Sequence, residues 1–130
     1  MPGSLVRDAN APTLLDAYSL SGGSTTGSAV KANWPQDVQV ELVIASLAGT
    51  SPTVDVEVEV ADDSAFTQNV RSLCAFPQHT ANGTYGITTY VDAPYVRAKV
   101  TTGGTISAGT ATVKLREPHL DRTPGTTPEA

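Results

Sequence analysis

At 130 residues and 13.4 kDa the chain fits one compact domain, and its hydrophobic share of 39% against 16% charged residues is globular in character. A net charge of −5 disfavours a nucleic-acid partner, because phosphate recognition needs a surplus of Lys and Arg. No apolar run reaches the roughly 18 residues of a membrane span, and the opening MPGSLVRDANAP lacks the apolar segment of a signal peptide.

Residues 1–12 are polar and interrupted by Pro2, Gly3, Asn10 and Pro12, which predicts an extended N-terminal arm. TLLDAYSL then reads as a strand, SGGSTTG as a loop and SAVKANW as a second strand closed by Trp34-Pro35. In DVQVELVIASL, Val38, Val40, Leu42 and Ile44 alternate with Gln39, Glu41, Val43 and Ala45, and AGTSP reads as a turn. TVDVEVEVA carries the strongest period of two, with Val54, Val56, Val58 and Val60 set against Asp55, Glu57 and Glu59.

DDSAFTQN predicts a short helical or turn-like insert that Asp62 or Asp63 is able to cap. VRSLCAF, TYGITTYV, PYVRAKV and GTATVKL follow as strands, separated by PQHTANG, DA and TTGGTISA. EPHLDRTPGTTPEA, residues 117–130, reads as a C-terminal arm. The spacing therefore predicts an all-β fold: an antiparallel β-sandwich of about eight strands over residues 13–116, jelly-roll or immunoglobulin-like in topology.

The five carboxylates between residues 53 and 66 raise the question of chemistry. Two-residue steps place Asp55, Glu57 and Glu59 about 6.5 to 7 Å apart on one strand face, near the separation of an inverting glycosidase pair. Environment speaks against that reading. A catalytic acid needs desolvation or a crowded like charge, whereas the intervening valines assign their own face to the core and the acids to water or a partner. Asp62-Asp63 lacks the alternating ligands and glycine of a calcium loop, and two histidines with one cysteine make a poor zinc set. No G-x-S-x-G occurs. Cys74, the single cysteine, alternates with Ser72 and Phe76 and reads as packing; His79 and His119, the two histidines of the chain, are the candidate bases for it, and neither stands in a catalytic motif. The expectation is a protein that is not an enzyme, with no cofactor, no metal and no small-molecule substrate.

The cations form a second pattern. Tyr95, Arg97 and Lys99 share one face of PYVRAKV, and Thr112, Lys114 and Arg116 share one face of TATVKLR. Were these two strands to pair alone, their like charges would oppose the pairing. Two remedies are open: an acidic neighbour such as the Asp55/Glu57/Glu59 strand, or a negatively charged partner surface.

VELVIASLAGTSPTVDVEVEVADDSAF, VRSLCAF and APYVRAKVTTGGTISAGTATVKL together resemble the small capsid cement or decoration proteins of tailed bacteriophages. The resemblance spans residues 13–116 and leaves both arms unmatched. It implies a β-sandwich virion protein on the capsid exterior, often a homotrimer, assembled in the host cytoplasm and tying major capsid subunits together. The absence of disulfides agrees with a reducing compartment. The candidate partner-binding residues are Leu5, Val6, Arg7 and Leu14 at one end, and Arg116, His119, Leu120 and Arg122 at the other, joined by Trp34, Arg97 and Lys99. Trp34 has three readings: a cap on the core, an interface anchor or a sugar platform. The competing function is a carbohydrate-binding or adhesion module of a tail or fibre protein.

Overall fold

A computed structural model describes residues 12–32 and 34–116. The elements run β1 (Thr13–Ser19), a single 3-10 turn (Leu20–Gly22), β2 (Thr25–Thr26), β3 (Val30–Lys31), β4 (Gln36–Ala61), β5 (Arg71–Ala75), β6 (Gly83–Val91) and β7 (Tyr95–Arg116). All pairings are antiparallel. The fold is all-β, as the period-two pattern predicts.

Seven strands stand where about eight are expected: two predicted breaks are not breaks, and SGGSTTG, read as a loop, carries the two-residue β2. AGTSP does not turn the chain back; it lies inside β4, a continuous strand of 26 residues. TTGGTISA likewise lies inside β7, of 22 residues. The two strands pair from Gln39↔Arg116 to Ala61↔Tyr95 and bend together. Register shifts fall between Ala45 and Ala48, between Ala48 and Gly49 and between Thr50 and Thr53, and Ser46 and Ser51 within the first and last take positive φ. Such bulges bend a strand without ending it. Gly49 (φ 147°) and Gly104 (φ 69°) let the two backbones meet there: a Cβ on Gly49 would strike the Thr105 carbonyl oxygen, and one on Gly104 that of Ser51. PYVRAKV and GTATVKL are therefore two halves of β7, each paired with a different half of β4, rather than partners of one another.

The bend divides the sheet. In one half, residues 36–45 of β4 lie between β6 and residues 110–116 of β7, with β1 beyond. In the other, residues 53–61 of β4 lie between β5 and residues 95–103 of β7, with β2 and β3 beyond. Val38, Val40, Leu42 and Ile44 from the first half and Val54, Val56, Val58 and Val60 from the second join one hydrophobic cluster with Val96, Val100, Val113 and Leu115. One shared interior for both halves is consistent with a β-sandwich.

Two local expectations change and one resolves between its alternatives. SAVKANW contributes only the two residues of β3 to the sheet. DDSAFTQN forms turns without a helix, and the capping residue is Asp63: it accepts hydrogen bonds from the Thr67 and Gln68 amides, both at 2.9 Å, and from the Thr67 hydroxyl at 2.6 Å. Leu14, expected to contact a partner, is instead 4% exposed in the core, because the second residue of β1 points inward.

Candidate functional site

Two surfaces collect the residues that the sequence singles out. The first is the outer face of β4 and β7. Because Val58 and Val60 point inward, Glu57 and Glu59 point outward, where the register sets Glu59 opposite Arg97 and Glu57 opposite Lys99. Arg97 Nε donates to Glu59 Oε1 at 2.9 Å, with both side chains largely covered. The same guanidinium lies 4.2 Å above the Phe66 ring, so the DDSAF turn folds its phenylalanine beneath the ion pair. Across the bend the pattern recurs: Glu41 stands opposite Lys114, and Arg116 Nε reaches Glu41 Oε1 at 3.0 Å. Asp55 faces Thr101 and accepts a hydrogen bond from Gln78 Nε2 at 3.0 Å.

Of the two remedies for the clustered cations, the fold thus uses the acidic neighbour. Arg97 and Arg116 are held by carboxylates of their own chain, and Lys99 stands across from one. Partly exposed cross-strand pairs of this kind contribute modestly to stability and fix register. Among the described residues no group of three or more His, Cys, Asp or Glu is arranged to hold a metal ion.

Asp63 is held below the usual carboxylate range, first by the Thr67 hydroxyl and then by backbone amides. Cys74, half-buried opposite Val58, shifts the other way. Burial, helped by the negative charge of Glu57, pushes its thiol from 9.0 up to about 11, which makes it a poor nucleophile at neutral pH. His79 is not placed to activate it. The His79 backbone pairs with Val54 through two 2.9 Å bonds, four residues along β4 from the partner of Cys74 and so about 13 Å away. The His79 ring stacks on Tyr85 with centroids 3.6 Å apart, and its Nε2 is buried without a hydrogen-bond partner.

The second surface is the end of the fold opposite the bend. Here β4 begins and ends, β6 passes into β7, and both termini attach. Thr13 pairs with Lys114, Leu115 N donates to the Pro12 carbonyl at 2.9 Å, and Arg116 stands opposite Gln39. Trp34, after which the cis Trp34-Pro35 bond leads into β4, is 48% exposed. It therefore does not cap the core, the first of the three readings that the sequence allows it. Tyr90, opposite Asp37, is 54% exposed, and Val70 is 41% exposed. Val70 precedes Arg71, whose Nη2 meets Asp92 Oδ1 at 2.6 Å and so draws the start of β5 to the end of β6. Trp34, Tyr90 and Val70 are the exposed large hydrophobic residues of the described chain. Nothing in the sequence context of Val70 distinguishes it from a buried strand residue.

Leu5, Val6, Arg7, His119, Leu120 and Arg122 lie outside the described residues. Among the described residues no helix is long and apolar enough to cross a membrane. Comparison of the chain with protein-family models, with curated proteins and with solved structures finds no match.

Proposed function

We propose that this chain is a structural virion protein that attaches to the outside of a phage capsid and stabilises it by bridging major capsid subunits. The observation that carries the reading is the clustering at one end. Both arms start there, beside the exposed Trp34 and Tyr90. The charged face is meanwhile engaged within the chain through Glu59–Arg97 and Glu41–Arg116. An end from which both terminal segments depart and at which aromatics are exposed fits attachment to another protein, since aromatic side chains dominate interface energetics.

The mechanism is thermodynamic and needs no reaction. A protein that binds the assembled shell but not its free subunits shifts the equilibrium toward the shell. Ordering an arm costs about 1 to 2 kcal/mol per residue, so the arms must bury side chains such as Leu5, Val6 and Leu120 against the shell. Several copies acting together raise the apparent affinity. Co-sedimentation with intact capsids tests this. The expected result is saturable binding that Trp34→Ala and deletion of residues 1–11 each weaken; a protein that stays in the supernatant refutes it.

The exposure of Trp34 and Tyr90 also favours a second reading, a carbohydrate-binding or adhesion module, because sugars stack on exposed aromatic rings. Glycan-array binding that Trp34→Ala abolishes, without any association with capsids, would select this reading over the first.

A further inference from the structure

Each half of the folded sheet ends in edge strands, and they are not equally protected. β1 is irregular: its register slips twice against β7, Ala17 takes positive φ, and Asp16 adds a charge. β5 has five residues, a register shift opposite Val58 and Glu59, and Arg71 at its start. These are the usual means by which an edge is kept from pairing with another chain. β6 has none of them. Its nine residues, GTYGITTYV, contain no charge and no proline, and they pair with β4 from Gly83↔Ile44 to Val91↔Gln36 without a single shift. Among the described residues β4 is its only partner, so its other edge offers a straight row of backbone donors and acceptors.

Side-chain burial agrees. The inward residues of β4 are exposed to 2% or less, whereas Tyr85 and Ile87 on β6 pack against the same core yet remain only partly covered. A strand laid along β6 would complete their burial.

We propose that the free edge of β6 is a pairing surface for the β6 edge of a second copy, joining two sheets into one across a two-fold axis. A straight, uncharged strand edge is complementary to itself in the antiparallel sense, which is what a second copy requires. With a net charge of −5, two copies repel over most of their surface, but the β6 edges bring no like charges together in any antiparallel register. Asp92, just past the end of the strand, is already held by Arg71, while Asp37 and Glu41 stand one strand further in, on β4. The facing side chains would be Thr and Tyr, a favourable class of cross-strand pair. Such a contact is self-complementary and closes as a dimer, where the resemblance to decoration proteins implies a trimer. It stands independently of the capsid reading, since it requires only this chain.

Sedimentation velocity on the full chain, from micromolar to sub-millimolar concentration, tests the proposal. Wild-type protein is expected to convert from monomer to dimer. Thr84 and Thr88 are exposed on β6, so the double variants T84K/T88K and T84E/T88E should each remain monomeric with cooperative melting retained. An equimolar mixture of the two should recover a one-to-one heterodimer. Wild-type protein that stays monomeric or forms trimers, a dimer that survives in both variants, or a mixture that does not associate each overturns it. Should the variants fail to fold, amide exchange of the wild type decides: slowing of alternate β6 amides with rising concentration is expected, and exchange independent of concentration refutes the pairing.

Discussion

Residues 54–60 of β4 present two faces a single residue apart. Val54, Val56, Val58 and Val60 are exposed to 1% or less, while Asp55, Glu57 and Glu59 remain in partial contact with water and face Thr101, Lys99 and Arg97. The first face supplies stability and the second supplies register. Burying a valine side chain is worth about 1.5 to 3 kcal/mol, and a partly exposed ion pair generally below about 1 kcal/mol. The same spacing that makes the acids resemble a catalytic pair makes them ladder partners, and it is the environment of each side chain that separates the two possibilities.

Substitutions that exchange the character of the two faces should break the protein most severely. Val58→Asp places a carboxylate in the centre of the cluster, a desolvation penalty of several kcal/mol with no partner in reach. Loss of the cooperative thermal transition is expected by circular dichroism; a melt close to wild type would show that the valine face is not interior. Val56→Ala, which only removes atoms, should lower stability by about 2 kcal/mol in urea titration.

Cys74 senses both faces, because it packs opposite Val58 and feels the charge of Glu57. Its folded pKa lies above its unfolded value, so its contribution is fully present below pH 9.0 and is lost as pH rises toward about 11. The stability of wild type relative to Cys74→Ala should therefore fall across that window, and a difference independent of pH would place the thiol in water. The smallest effect is expected for the ladder. A double-mutant cycle with Glu59→Gln and Arg97→Gln should give a coupling of about 1 kcal/mol or less, reduced by salt. A coupling several times larger would mean that the pair is a buried network and that the acidic face is not a surface.

Much of this was legible in the residues. Strict alternation at 38–44 and 54–60 identified the interior, and the opposed signs on PYVRAKV and TVDVEVEVA offered an acidic neighbour as one of two remedies for the cations. The bend was not legible. AGTSP and TTGGTISA have the composition of turns, and only their mutual pairing in β4 and β7 shows that the backbone bulges and continues. Leu14 was misplaced because a proline-broken arm precedes it and the first inward position of β1 cannot be told from the last residue of that arm. The open edge of β6 was equally hidden, since a period of two records which way side chains point but not which strands lie alongside.

The most direct test of the proposed role is the thermal stability of the shell itself. Particles produced with and without this chain should differ in the midpoint of heat-induced disassembly, and adding purified protein to the deficient particles should raise that midpoint until binding saturates. An unchanged midpoint at saturating protein would contradict the role of the chain as a capsid stabiliser.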